Sequence, residues 1–219
     1  MANLSIHIDL NLKKGGNQHE SRSLLKEEIV GGTFSYKIIK EIKMENIITN
    51  RLIIRKFEQN DWQDLHEYLS DKEVVKFEPY DIYSENQAKE EAIKRANSEF
   101  FYAVCLKGNE KLIGNLYLAK EDFDTWELGY VFNRKYQGQG YATEGAKALL
   151  DYAFTHLGAR RIIAMCSPKN DHSWKLLERL HMRREGLLLQ NIYFKTDSND
   201  EPIWLDTYEY AILKAEWCK

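Results

Sequence analysis

Between Tyr141 and Leu157 the apolar residues fall at the spacing of one helix face: Ala142, Ala146, Leu149, Leu150, Ala153, Phe154 and Leu157. Gly158 follows, where a left-handed C-cap would end such a helix. Upstream, Trp126 to Phe132 is apolar and aromatic apart from Glu127, the pattern of a buried strand. A loop beginning at Asn133 and carrying Gly138-Gln139-Gly140 joins strand to helix.

Shorter patterns flank this unit. Arg51 to Phe57 reads as a strand, with Leu52, Ile53 and Ile54 apolar. Asn60-Asp61 is placed to cap a helix over Trp62 to Leu69. Pro79 stops regular structure around Glu78-Pro79-Tyr80, and Ser84 with Gln87 makes a capping box for a helix reaching about Ser98. Phe100 to Leu106 and Lys111 to Leu118 are strands joined at Gly108-Asn109. Arg161 to Met165 is a short apolar strand, and a right-handed crossover through the central helix would lay it parallel to Trp126–Phe132. Asn170-Asp171-His172-Ser173 opens a helix from Trp174 to about His181, with Trp174, Leu177 and Leu180 apolar. Arg183 to Phe194 and Ile203 to Lys214 form a terminal hairpin across the polar stretch Lys195 to Pro202.

Residues 1–43 lack this regularity. Gly15-Gly16 and Gly31-Gly32 break them, while Phe34-Ser35-Tyr36-Lys37-Ile38 alternates as a short strand would. They read either as a disordered or loosely docked tail or as translated leader. In the second reading, Lys40-Glu41-Ile42-Lys43-Met44 can be encoded by AAGGAG, a six-base spacer and AUG, as a bacterial ribosome-binding site and start codon would be. The natural protein would then begin at Met44, leaving 44–219 as the functional domain.

Composition narrows the class. At 219 residues the chain can enclose a sizeable core, and 43% hydrophobic with 12% aromatic content excludes disorder throughout. A net charge of −3, from 31 basic and 34 acidic residues, gives no basic surface for nucleic acid. Cys105, Cys166 and Cys218 are odd in number and show no metal or redox spacing, so a reducing, cytoplasmic compartment is the simplest reading. Cys105 and Cys166 are expected in the core. No apolar run is long enough to span a membrane, and His7, His19, His66, His156, His172 and His181 have no ligand spacing, so no metal is expected.

The strand–glycine loop–helix order suits an anion. The first N–H groups of a helix have no partner within it and point out of its positive end, and glycines admit a phosphate close to the backbone. Arg134 and Lys135 add charge beside the loop. Two familiar loops fail to fit. Gly140 and Gly145 have P-loop spacing, but Ala146 stands where the lysine belongs; a dinucleotide fingerprint would need Gly or Ala where Thr143 stands. Lys135-Tyr136-Gln137-Gly138-Gln139-Gly140 instead resembles the acyl-coenzyme A pyrophosphate loop of the GNAT N-acetyltransferase superfamily, Arg/Gln-x-x-Gly-x-Gly/Ala, with Lys for Arg/Gln at its first position. The continuation Tyr141-Ala142-Thr143-Glu144 resembles the branch containing ribosomal-protein N-terminal (RimJ/RimL-type) acetyltransferases. The resemblance runs from about Thr49 to Trp217 and leaves residues 1–43 outside.

The resemblance implies a GNAT-like α/β (α+β) fold: a mixed, mostly antiparallel twisted sheet of about six to seven strands with helices on both faces. It implies acetyl-CoA as cosubstrate, held by Gln137, Gly138, Gln139, Gly140, Tyr141 and Ala142 at the pyrophosphate and by Asn170 and Ser173 along the pantetheine arm. A strand bulge would aim the N–H groups of Val131 and Phe132 at the carbonyl oxygen that becomes negative in the tetrahedral intermediate. Glu78, Tyr80, Trp126 and Asp206 would flank the acceptor amine. Glu127, alone among apolar neighbours and costly to bury without a role, is the first choice for general base, with Asp206 and Glu78 in reserve. Leu177 stands where many members have an acidic Tyr, so Ser173 is the candidate acid. Some relatives have a Glu near Gln190, which is absent here. The acceptor is then a protein N-terminus or a small amine such as an aminoglycoside or polyamine. A non-catalytic acyl-CoA sensor would keep the Gly138–Gly140 loop without needing Glu127.

Overall fold

The computed structural model describes residues 23–30, 33–40 and 45–217. The chain divides into two units, Met1–Lys43 and Met44–Lys219. In the first, β1 (Ser23–Val30) pairs antiparallel with β2 (Thr33–Lys40), so the Phe34–Ile38 alternation lies in a strand. Gly15-Gly16, Gly31-Gly32, Met44, His7, His19 and Cys218 lie outside the described residues.

The second unit runs β3 (Ile47–Ile48), β4 (Leu52–Lys56), α1 (Trp62–Leu69), α2 (Glu85–Ala96), β5 (Phe101–Leu106), β6 (Leu112–Lys120), β7 (Thr125–Phe132), α3 (Tyr141–Thr155), β8 (Arg161–Cys166), α4 (Asp171–Arg179), β9 (Arg183–Thr196), β10 (Pro202–Leu213) and α5 (Lys214–Trp217). The sheet order is β3-β4-β5-β6-β7-β8-β10-β9, antiparallel everywhere except between β7 and β8. Seven of these strands are the predicted ones; the eighth, β3, is only two residues long.

Strand alternation sends successive side chains to opposite faces. On β5, Ala103 and Cys105 pack with Leu65, Tyr68 and Leu69 of α1 and Ala92 of α2. Val104 faces the other way, toward Ala146, Leu149, Leu150, Ala153 and Phe154 of α3 and Leu176 and Leu177 of α4. Phe154 is fully buried, which stabilises the fold by roughly 2–3 kcal/mol. Helices therefore cover both faces. Past α3, Gly158 at φ +71 turns the chain back so that the Ala159 N–H reaches the Ala153 carbonyl at 3.1 Å.

Two local expectations change. The Ser84–Gln87 capping box forms at the start of α2, but Asp61 does not cap α1 with its side chain. Its carboxylate instead accepts the Glu58 N–H at 2.7 Å and a two-pronged Arg55 contact at 2.7 and 2.8 Å. A charged fork outcompetes a single backbone N–H for the same oxygens. The second change concerns β7. Its ladder with β6 is unbroken from Gly114↔Phe132 to Lys120↔Trp126, so the strand has no bulge there. It opens on its other side. β7 and β8 pair only at Thr125↔Arg161, Trp126↔Ile162 and Glu127↔Ile163, after which β8 stays with β10 and β7 with β6. A cleft opens between them.

Candidate active site

The cleft and the surface beside it form one open cavity of about 1720 Å³. One arm runs between β7 and β8 to the loop before α3, and the other lies under the chain linking α1 to α2. Of the residues singled out in the sequence, Val131, Phe132, Gln137, Gly138, Gly140, Tyr141, Ala142, Asn170, Ser173, Glu78, Tyr80, Glu127 and Asp206 line it.

Gly138 and Gly140 sit at φ +72 and +82, the left-handed region that only glycine enters without strain, and a Cβ on Gly138 would meet nothing within 4 Å. The loop is thus open toward the cleft, with the N-terminus of α3 behind it. Arg51, which nothing in its own neighbourhood distinguishes, pins this arrangement. It pairs with Glu144 in the first turn of α3 at 2.6 Å, donates to the Gln139 carbonyl at 3.0 Å, and stacks on Tyr141 at 4.3 Å.

The side chains of three residues singled out in the sequence stand apart from the cavity. Lys135 does not line the cavity; its ammonium is held by Glu67 of α1 at 2.7 Å, while Arg134 pairs with Asp71 at 3.0 Å. Lys111 and Lys135 together hold the Glu67 carboxyl down to about 2, so Lys135 is answered from α1 and Arg134 from Asp71 just beyond it. The Gln139 side chain turns back onto the Lys135 carbonyl at 3.1 Å and faces away from the cavity. Trp126 is not at the acceptor: alternation on β7 packs it against the α3 side of the core, opposite to Glu127, and it does not line the cavity.

Backbone direction separates the two proposed oxyanion donors. The Asn133 N–H donates to Ile113 of the β6 side at 2.9 Å, so the Phe132 carbonyl in the same peptide points the other way, where Gln137 Nε2 reaches it at 3.0 Å. Phe132 and, two residues earlier, Tyr130 therefore turn their N–H groups to the open edge of β7. Val131 turns its N–H to β6, in the ladder position opposite Asn115.

On the α4 side of the cleft, the Asn170 side chain caps α4 by accepting the Ser173 N–H at 3.2 Å. The Tyr130 hydroxyl donates to the Ser173 carbonyl at 3.0 Å and lies 2.9 Å from Ser173 Oγ. The pair bridges β7 and α4 across the cleft. Burial pushes the Tyr130 hydroxyl well above its ordinary value. Cys166 lies nearby, its thiol pushed up by burial to about 11, which keeps it protonated at neutral pH. Tyr130 escaped the sequence reading because its position in an apolar alternation marks it as core.

On the acceptor side, burial raises the Glu127 carboxyl above its ordinary value, with the Glu121 charge adding to the effect. Burial raises Glu78 further, to about 7, against a hydrogen bond from Tyr80 and the charge of Arg95. Arg95 is 2% exposed. It holds Glu91 at 2.8 Å and Asn115 Oδ1 at 2.9 Å, and Tyr68 donates to the same Oδ1 at 2.9 Å. Asp206 accepts the Gln190 N–H at 2.9 Å, where β9 turns through positive φ. Among the described residues no group of three His, Cys, Asp or Glu side chains is placed to hold a metal ion, and no helix is long and apolar enough to cross a membrane.

Comparison with known proteins gives consistent matches. The profile of the Acetyltransferase (GNAT) domain matches residues 51–183. The uncharacterized N-acetyltransferase YnaD of Bacillus subtilis is 41% identical over 175 residues, 78% of this chain and 99% of that protein. The crystal structure of a GNAT-family acetyltransferase from Bacillus anthracis superposes with a TM-score of 0.71 at 39% identity, covering 78% of this chain and 100% of that one. Spermidine N-acetyltransferase from Vibrio cholerae, solved in complex with CoA and spermine, shares the fold at a TM-score of 0.65 and 20% identity, over 78% of this chain and 100% of its own.

Proposed function

The chain belongs to the GNAT family of acetyltransferases, and from that premise we propose that its cleft brings acetyl-CoA together with a primary amine, the N-terminal amine of a polypeptide. The observation that carries the reading is the parting of β7 from β8 beneath a loop with Gly138 and Gly140 at positive φ. The residues present fit the cosubstrate. Backbone N–H groups from Gly138 to Ala142 at the start of α3 suit a pyrophosphate, and the open edge of β7 offers N–H groups to an extended pantetheine arm.

Acetyl-CoA supplies an activated thioester; the protein supplies position and protons. The Phe132 and Tyr130 N–H groups are the donors for the developing oxyanion. Glu127, half-buried on the strand beneath, is the base that takes a proton from the attacking nitrogen, directly or through water. The Tyr130–Ser173 pair protonates the departing thiolate. No covalent enzyme intermediate is required, in keeping with protonated Cys166.

The peptide acceptor rests on the sequence resemblance to the ribosomal-protein branch and on an open cavity wide enough for a chain end. A second reading, a small polycationic amine, draws support from the carboxyls of Glu78, Glu127 and Asp206 on the cavity walls. Mass spectrometry of products from peptides and polyamines offered together with acetyl-CoA tests the choice. Acetylation at peptide α-amines is expected; acetylated polyamine with unmodified peptides would overturn it.

A further inference from the structure

Acetylating a protonated amine removes two protons from its nitrogen. R–NH3+ must lose one before its lone pair can attack the thioester carbon. The amide product retains a single N–H, so a second proton leaves after the C–N bond has formed. The C–S bond breaks and the thiolate takes up one proton. The net reaction is ammonium plus thioester giving amide, thiol and one released proton. One carboxylate cannot hold both nitrogen protons at once.

The acceptor cavity has two half-buried carboxyls on different walls. Glu127 rises from β7, and Glu78 hangs from the chain between α1 and α2. Glu78 is built in. It is half-buried, and Tyr80 and Arg95 line the same wall of the cavity. Arg95 is in turn locked to Asn115 of β6, the residue opposite Val131 of β7. The remaining charges are arranged around this pair. Glu91 is held by Arg95. Glu73 and Lys76 come from the same loop as Glu78, Lys94 from α2 and Asp206 from β10; the Tyr83 and Tyr117 hydroxyls line the same cavity, and the Glu121 charge acts on Glu127.

We propose that Glu78 is the first of two proton acceptors: it docks the incoming ammonium, takes its proton and frees the neutral amine toward Glu127, which receives the second. Glu78 then returns its proton to water through the open cavity. This rests on the acetyltransfer reading above.

The energetics suit a weakly basic amine. A peptide α-amine has a pKa of about 7.7–8.0. Passing its proton to a carboxyl at about 7 is unfavourable by only about tenfold, against roughly 10³-fold for an ordinary carboxyl near 4.3. A lysine side chain near 10.4 would still face a gap of roughly 10³-fold. Glu78 thereby also favours α-amines over lysines.

The test is a set of pH profiles of kcat and kcat/KM on one peptide for wild type, Glu78→Gln, Glu78→Asp and Glu127→Gln, each with its melting temperature. Glu78→Gln is expected to lose about tenfold in kcat/KM near pH 7, where roughly a tenth of a peptide α-amine is already neutral in solution. That loss should shrink toward nothing as pH rises above the amine's pKa and the amine arrives already neutral. Glu78→Asp, which keeps a carboxyl, should recover part of the activity, and Glu127→Gln should stay impaired at every pH. A Glu78→Gln profile parallel to wild type, or a loss that persists at high pH, would overturn the proposal. A lowered melting temperature at pH 8 would do the same by making Glu78 structural. Failure of the wild type to form any amide is a different result: it would bring down the acetyltransfer reading and this inference with it.

Discussion

Glu78→Gln should make the protein more stable at alkaline pH and leave it unchanged in mild acid. Burial lifts this carboxyl from its ordinary 4.5 to about 7. Below about pH 4.5 the group is neutral in both folded and unfolded chains, and it contributes its full stability. As pH rises, the unfolded chain releases the proton first, so stability falls until the folded carboxyl also ionises near pH 7, and is flat beyond. The span is about 2.5 units, or roughly 3.4 kcal/mol at 1.36 kcal/mol per unit. Allowing for the water that still reaches the carboxyl, the effect is about 2–3 kcal/mol. Glutamine keeps the shape and never ionises. For a chain of this size that converts to a melting temperature higher by about 4–12 °C at pH 8.5, and to no difference near pH 4.5. Thermal melts of both proteins across this range, followed by far-ultraviolet circular dichroism, measure it. An equal shift at both ends, or a less stable variant at pH 8.5, would refute the idea that burial of a chargeable group sets this cost.

The remaining predictions concern the cleft. Gly138→Val should weaken acetyl-CoA binding by at least tenfold in a calorimetric titration, and Lys135→Ala far less, because a Cβ branch enters the open side of a left-handed turn whereas Lys135 already faces Glu67. Equal losses would show that side-chain charge holds the pyrophosphate. Tyr130→Phe should lower kcat by roughly 10²-fold with little change in KM, since it removes a proton route more than a binding contact; the same loss added to Ser173→Ala should be much smaller, because the two act as one pair. A chain beginning at Met44 should keep the activity and melting temperature of the full chain, as the eight-stranded sheet lies wholly within Met44–Lys219, and a large fall in either would show that the preceding residues pack.

Local physics made much of the fold legible in the sequence. The apolar stripe from Ala142 to Leu157 could only be buried by a helix. Gly158 could close it because that turn needs positive φ, and the crossover through α3 left β8 parallel to β7 for reasons of chain handedness. The Ser84–Gln87 box and the glycines of the loop act within a few residues of themselves, so their neighbours in sequence are their neighbours in space. The site's chemistry was decided elsewhere. Lys135 is neutralised by Glu67, 68 residues away, and the loop it flanks is pinned by Arg51, 88 residues before Gln139. Glu127 meets the cavity as expected while Trp126 turns to the core, because the sheet, not the strand, determines which face meets the cavity. The open edge of β7 arises from β8 pairing with β10 instead of from any bulge of its own, and the Tyr130–Ser173 contact needs that cleft to exist. Glu78 reads as a loop acid until Arg95, Tyr80 and the chain around them exclude water from it. Periodicity and capping are properties of short segments; burial, charge pairing and the direction of a free backbone edge belong to the assembled sheet.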